Sequence, residues 1–132
     1  MSTNSGIALR SGETFQTIYC HWDGYPSNML PILRGHYNSA ELAAKLISYG
    51  DASYIAEKLE PDPSRPHRFE DYQSQDDVCL FYHRDRGDSW LRCQPSCYTW
   101  KELFSQSAFE YVYIFEDGQW NAYDNKQRRI EQ

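Results

Sequence analysis

The sequence predicts one α+β domain with a largely antiparallel sheet of about five strands and short helices packed on one face. Three observations predict this class. The length of 132 residues suits one ordinary domain, strands joined by tight turns stand near both ends of the chain, and capped amphipathic segments lie between them. The predicted order is ββ-ααα-β-α-ββ. The single domain covers residues 1–132, with a flexible loop at about 60–77 and a short charged tail at 125–132.

The chain begins with a predicted hairpin and a first short helix. Residues 7–10 and 15–22 are rich in β-branched and aromatic side chains and flank a Ser-Gly turn, which is typical of two paired strands. A Gly-Tyr-Pro corner at residues 24–26 stops the second strand. Asn28 and Pro31 then stand where a helix start favours a capping side chain and an early proline.

Two further helices are predicted before residue 61. Asn38 and Glu41 have the spacing of a capping box, apolar residues recur at helical spacing after them, and Gly50 is placed to end that helix. Asp51 is expected to cap a third helix that Pro61 stops. The Pro- and acid-rich stretch that follows, at about 60–77, is predicted to be a surface loop. It is either a binding loop or a place where homologous chains would differ in length.

The second half of the chain returns to strands. Residues 78–82 form a β-branched and aromatic run, and the charged stretch at 84–88 is expected to leave it as a loop. Thr99 with Glu102 predicts a capped short helix. Residues 109–116 and 119–123 around an Asp-Gly turn then predict a hairpin.

Charge and hydropathy limit the classes of partner. Thirteen basic against nineteen acidic residues give a formal charge of −6, which argues against direct nucleic-acid binding and favours a neutral or basic partner. The basic side chains of Lys126, Arg128 and Arg129 are expected to be solvated in the tail. The sequence has no apolar run long enough for a membrane span and no export signal, so we expect a cytoplasmic protein that does not bind membranes.

The four cysteines are expected to be free thiols, because the cytosol keeps thiols reduced. Cys93 and Cys97 are the closest pair, but a single C-x3-C spacing is a weak metal signal even if His67 or His83 joined it in space. We therefore predict no metal and no cofactor.

The densest group of reactive side chains is the run YCHWDGYP at residues 19–26. Cys20 is a possible nucleophile, but it alternates with His21 along a strand, so the two side chains should point to opposite faces. His21 and Asp23 could share a face, either as a catalytic pair or as a polar cluster that fixes the sharp turn. We favour the structural role and assign no catalytic residue.

Two other features suggest binding. The Arg84-to-Asp88 stretch is either a salt-bridged turn or an anion contact through Arg84 or Arg86. Tyr111, Tyr113 and Phe115 share one face of a strand whose other face is also apolar, and Tyr19, Tyr82 and Trp120 could extend the same aromatic surface. Because a single layer of helices covers one face, these rings either form an exposed aromatic surface or pack under the long loop and residues 90–98.

Several segments together resemble a group of small proteins encoded by bacteriophages and prophages. They are IYCHWDGYP (18–26), LPIL (30–33), HYN (36–38), LI (46–47), GD (50–51), VCLFYHRDRG (78–87), YIF (113–115) and DGQW (117–120). The resemblance covers nearly the whole chain and implies no known activity or catalytic residues.

A phage origin implies an accessory protein that binds a host protein stoichiometrically, such as a nucleic-acid-binding defence complex of the CRISPR effector type. An acidic surface would suit a Lys/Arg-lined groove in that partner. The alternative is a small ligand-binding protein or enzyme that recognises a nucleotide-like molecule through His21 and Asp23 with Arg84 and Arg86. The candidate protein- or ligand-binding residues are Tyr19, His21, Trp22, Asp23, Tyr25, Tyr82, Arg84, Arg86, Tyr111, Tyr113, Phe115 and Trp120.

Overall fold

The computed structural model describes residues 2–70 and 72–131, which form one sheet of eight strands accompanied by five helices. Met1, residue 71 of the predicted loop and Gln132 of the predicted tail lie outside the described residues. The elements are β1 Ser5–Ser11, β2 Thr14–Cys20, α1 Pro26–His36, α2 Ala40–Ile47, β3 Ala52–Tyr54, β4 Leu80–Phe81, α3 Tyr82–Arg86, α4 Trp90–Cys93, β5 Ser96–Thr99, α5 Trp100–Phe104, β6 Tyr111–Glu116, β7 Gln119–Asp124 and β8 Arg129–Ile130.

The sheet confirms the α+β class and corrects the predicted strand count of five. Its order is β4-β3-β2-β1-β6-β7-β8, and β5 pairs with the first half of β2. Both predicted hairpins, β1–β2 and β6–β7, are present. Two pairs, β1–β6 and β2–β3, are parallel. The parallel β1–β6 pair places the two hairpins side by side at the centre of the sheet, so the middle of the chain becomes one long connection between them.

The first two helices form near the predicted positions, with small shifts in their starts. Helix α1 begins at Pro26 and contains Pro31 in its interior. In α2 the capping residue is Ser39 rather than Asn38, and its hydroxyl oxygen accepts a hydrogen bond from the backbone N–H of Leu42 at 3.1 Å. The predicted capping box of Thr99 and Glu102 is present at the start of α5. These features depend on neighbours in sequence, which is why the sequence predicts them.

The predicted third helix at 51–61 is wrong, since that segment contains β3 and then runs in an extended path. Ala52 pairs with Cys20 in the parallel β2–β3 ladder, and the isolated bridge between Lys58 and Val78 continues the extended path. The predicted strand at 78–82 is also shorter. It ends at Phe81, and the charged stretch expected to be a loop forms α3, which Gly87 ends in a left-handed conformation at φ 81°.

The helices do not all pack on one face, which corrects the sequence prediction. Helices α1 and α2 cover one side of the sheet, where Ile7, Ile18 and Tyr113 belong to the larger core. The short α5 covers the other side, where Leu103 packs with Val112 in a second cluster. Both faces of the central strands are therefore buried, in agreement with the apolar residues on both faces of β6.

This arrangement also shows that the predicted exposed aromatic face is wrong for three of its residues. Tyr113 and Trp120 have no exposed surface, and Phe115 is 5% exposed. Their rings pack in the larger core under α1 and α2, not under the long loop or residues 90–98. Tyr111 at the start of β6 is half-buried at the edge of that core.

Candidate functional site

The YCHWDGYP corner is anchored to the N-terminal segment and to the core. The backbone N–H of Gly24 donates to the carbonyl of Thr3 at 2.9 Å, and the Tyr113 hydroxyl donates to the carbonyl of Gly24 at 2.5 Å. A Cβ atom at Gly24 would lie 2.6 Å from Oγ of Ser5 and 2.8 Å from the Thr3 carbonyl oxygen. Only glycine therefore fits here without a shift of the neighbouring chain. These contacts support the structural role for the corner.

The reactive side chains of the corner do not form a catalytic set. Cys20 is fully buried, and burial raises the pKa of its thiol to about 12, so the thiolate is scarce near neutral pH. The hydroxyl of Tyr19 lies 2.6 Å from Nδ1 of His21, and the ring of Trp22 meets the imidazole edge-on at 4.8 Å. Among the described residues, the Asp23 carboxylate makes no hydrogen bond to His21. The partner of the imidazole is thus a tyrosine on the same strand face.

The two arginines of the second motif are engaged within the chain. Arg84 donates from Nη1 to the carbonyl of Leu59 at 2.5 Å and from Nη2 to the carbonyl of Cys79 at 2.9 Å, and it is paired with Asp85. Its guanidinium also lies over the rings of the half-buried Tyr49 and the buried Phe81, 5.2 Å and 5.0 Å from their centroids. Arg84 thus links α3 to the backbone on both sides of the long loop.

Arg86 has partners on three sides. Its Nε and Nη2 atoms each donate to a carboxylate oxygen of Asp88 at 2.8 Å, which lowers the pKa of Asp88. The guanidinium lies 4.8 Å from the centroid of Phe69 and 4.7 Å from that of Tyr82, and these two rings stack on each other. Arg84 is therefore not left as an open phosphate ligand, and Arg86 keeps only Nη1 without a hydrogen-bond partner among the described residues.

Asp51 stands between the two motifs, and the sequence interpretation missed it as a site residue. Its Oδ1 accepts the backbone N–H of Tyr19 at 2.9 Å, while its own carbonyl accepts the N–H of Tyr82 at 3.2 Å. Burial raises the pKa of Asp51 to about 6. The GD pair at 50–51 was visible in the sequence, but it suggested a helix cap because the β2–β3 pairing could not be seen.

The long loop is held by a buried polar network around His67. Its Nδ1 accepts the backbone N–H of Gln75 at 2.9 Å, so Nε2 carries the proton and donates to the carbonyl of Cys79 at 2.8 Å. A carboxylate oxygen of Asp85 lies 3.7 Å from Nε2. His67 is therefore not available for a site with Cys93 and Cys97. Within residues 2–70 and 72–131, no group of three or more His, Cys, Asp or Glu side chains could hold a metal ion.

A groove of about 420 Å³ lies beside the corner and the long loop, and we call it the acidic groove. It is lined by Asp23, Asn28, Ile32, Tyr54, Ile55, Ala56, Glu57, Asp76 and Asp77. Asp77 is paired with Lys58 at 3.0 Å. Asp23, Glu57 and Asp76 have no ion pair among the residues that the structure describes. Carboxylates therefore surround apolar side chains in one concave surface.

The remaining candidate residues divide by exposure. Trp22 and Tyr25, on either side of Asp23 in the sequence, are 43% and 41% exposed. Tyr19, His21 and Tyr82 are partly buried between the two motifs. Of the candidate binding residues named from the sequence, Asp23 alone is among the described residues that line the acidic groove. Sequence reasoning missed its other carboxylates, Glu57, Asp76 and Asp77, because they come from two segments far from Asp23 in the sequence.

Comparisons of the chain with protein-family models, with curated proteins and with solved structures give no match. The resemblance to phage-encoded proteins stays a prediction. No helix within the described residues is both long and apolar enough to cross a membrane.

Proposed function

We propose that the protein acts by stoichiometric binding of another protein and that a Lys/Arg-rich segment of the partner occupies the acidic groove. In keeping with the phage resemblance, we take the partner to be a host protein, and a nucleic-acid-binding defence complex of the CRISPR effector type has the required basic surface. The observation that carries the proposal is the acidic groove itself, where three carboxylates that have no ion pair among the described residues share the lining with apolar side chains.

The lining of the acidic groove suits both the aliphatic stem and the charged end of a lysine or arginine side chain. Their aliphatic stems can pack on Ile32 and Ile55, while their charged ends pair with the carboxylates of the same lining. The net charge of −6 adds a long-range attraction that speeds encounter with a basic surface. The exposed rings of Trp22 and Tyr25 stand beside Asp23 and offer contact area of the kind found in interface centres.

The chemistry around the corner supports binding in preference to catalysis. Nucleophilic catalysis needs an activated nucleophile within hydrogen-bond reach of a base. The buried thiol of Cys20 donates to backbone carbonyls, and the near partner of His21 is Tyr19. Cys20 and His21, the side chains that nucleophilic catalysis would need, thus make contacts within the corner instead.

A defined basic probe tests the proposal without knowledge of the natural partner. We would titrate a short fluorescein-labelled peptide of alternating Arg and Leu and measure fluorescence anisotropy at low and at physiological ionic strength. We expect the peptide to bind, with affinity that decreases as salt increases, and a matched peptide of Glu and Leu not to bind.

Charge-reversal variants locate the site. We expect Glu57→Lys and Asp76→Lys each to weaken peptide binding about tenfold or more, because like charges then face each other across the interface. Glu131→Lys is the matched control, since it makes the same change beside β8, at the other edge of the sheet from β3 and β4. Equal affinities for all three variants, or no binding by the wild-type protein, would refute the proposal.

A further inference from the structure

A second groove, of about 470 Å³, lies at the other end of β2 and has a different chemistry. It is lined by Arg10, Glu13, Phe15, Thr99, Trp100 and Lys101, and we call it the Trp100 groove. Phe15, the β2 residue in its lining, lies five residues before Cys20 at the end of the strand, about 17 Å at ~3.3 Å per residue. Its volume falls in the usual range for small-molecule pockets.

The aromatic wall of this groove is held in place before any ligand arrives. The indole of Trp100 lies 5.9 Å from the ring of Phe15 and 4.5 Å from that of Phe104, and it meets Tyr123 edge-on at 5.4 Å. Its Nε1 donates to the side-chain oxygen of Gln127 at 2.8 Å. A ring fixed on these sides loses little conformational freedom when another ring stacks on it.

Two cationic groups stand beside this wall. The guanidinium of Arg10 lies 5.9 Å from the centroid of Phe15, donates from Nε to the carbonyl of Gly12, and pairs through Nη1 with Glu116 at 3.3 Å. Its Nη2 has no hydrogen-bond partner among the described residues. Lys101 has no ion pair within the same part of the chain. The groove therefore keeps donors available for an anion in a protein whose net charge is −6.

Glu13 is the single carboxylate among the described residues of the lining, and it completes the recognition pattern. A carboxylate accepts hydrogen bonds from hydroxyl groups, as acidic side chains do from ribose in nucleotide sites. An aromatic platform, two cations and one carboxylate correspond to the base, the phosphate and the sugar of a nucleotide.

From this juxtaposition we propose that the Trp100 groove binds a nucleoside monophosphate, with the base stacked on Trp100 and the phosphate contacted by Lys101 and Arg10. The site is distinct from Arg84 and Arg86, which are engaged within the chain. It also shares no lining residue with the acidic groove, so its test is independent of the proposed protein partner.

Isothermal titration calorimetry with AMP, adenosine, inorganic phosphate and a short 5′-phosphorylated single-stranded oligonucleotide tests the assignment. We expect AMP to bind more tightly than adenosine or phosphate alone, because each of those lacks one of the two recognised parts. A free mononucleotide is the ligand if AMP binds more tightly than the oligonucleotide, and the end of a strand is the ligand if the order is reversed. Absence of AMP binding would overturn the proposal.

A lysine substitution tests the phosphate contact. We expect Lys101→Gln to weaken AMP binding about tenfold, as loss of one charge-assisted hydrogen bond does, while adenosine binding stays unchanged. Lys45→Gln, on the exposed side of α2, is the matched control and should bind AMP as the wild type does. An AMP affinity that is the same in both variants would overturn the proposal.

A spectroscopic measurement tests the stacking without a substitution in the packed cluster. In NMR titrations with AMP we expect the indole N–H resonance of Trp100 to shift and that of the fully buried Trp120 to stay in place. The reverse pattern, or no shift of either resonance at saturation, would contradict stacking on Trp100.

Discussion

Replacing Asp51 by Asn should make the protein more stable at pH 8 and should leave its stability almost unchanged at pH 4. Burial raises the pKa of this carboxyl from its ordinary 3.8 to about 6. Between these values the folded state binds more protons than the unfolded state, so the Asp51 contribution to stability decreases as pH rises. The asparagine keeps an oxygen that can accept the N–H of Tyr19 and carries no charge at any pH.

The size of the effect follows from the pKa difference. A rise of this extent corresponds to about 3 kcal/mol of unfavourable free energy once the group is ionised in the folded state. Solvent screening of the partly buried side chain reduces this, and we expect a gain of about 1–2 kcal/mol at pH 8. For a domain of this length each kcal/mol corresponds to a change in Tm of about 3–5 °C.

The assay is urea unfolding of the wild type and Asp51→Asn at pH 4, 6 and 8, with the difference between the two proteins plotted against pH. Other carboxylates titrate in both proteins, so their contributions cancel in this difference. Asp77→Asn is a control in which we expect the opposite change, a lower stability at pH 8, because Lys58 lowers the pKa of Asp77. A loss of stability at pH 8 in Asp51→Asn, or a difference that is the same at every pH, would contradict a raised pKa for Asp51.

Three further predictions concern the anchoring contacts and the thiols. Tyr113→Phe removes the buried hydroxyl that donates to the corner carbonyl and should cost about 1–3 kcal/mol in urea unfolding, whereas Tyr111→Phe should change stability little. His67→Ala removes both ring-nitrogen hydrogen bonds of the long loop and should lower Tm while exposing the loop to limited proteolysis; an unchanged digestion pattern would argue against the network. Cys97 alone is exposed among the four free thiols, so an aromatic disulfide reagent should titrate one thiol rapidly in the native protein and four after denaturation; rapid reaction of a second thiol would contradict the burial.

Features set by neighbouring residues were predicted well. Both hairpins depend on alternation and turn residues within one stretch, and the capping box at Thr99 depends on a spacing of three residues. The helix predicted after Asp51 failed for a reason outside that stretch. Ala52 pairs with Cys20, and the long-range ladder outweighs a weak local preference for helix.

The aromatic face failed for a related reason. The sequence correctly predicted that both faces of β6 are apolar, but a five-residue helix was not counted as a second layer. Leu103 and Trp100 of α5 cover one side, so the larger rings on the other side belong to the core under α1 and α2. Short helices of this kind bury few residues each, and their packing depends on which strands lie together.

The burial of these rings changes which surfaces are open to partners. Much of the aromatic content that suggested an exposed sheet fills the two cores, and Arg84 and Arg86 are used inside the chain. The surface charge that remains is uneven: three carboxylates that have no ion pair within the described part of the chain line the acidic groove, while Lys101 and Arg10 line the Trp100 groove. The two grooves lie at opposite ends of β2: Glu13 and Phe15 line the Trp100 groove at the start of this strand, and Asp23 lines the acidic groove just after its end. One strand thus separates a surface suited to a basic protein from a surface suited to a small anion, which is why two different ligands are proposed for one small domain.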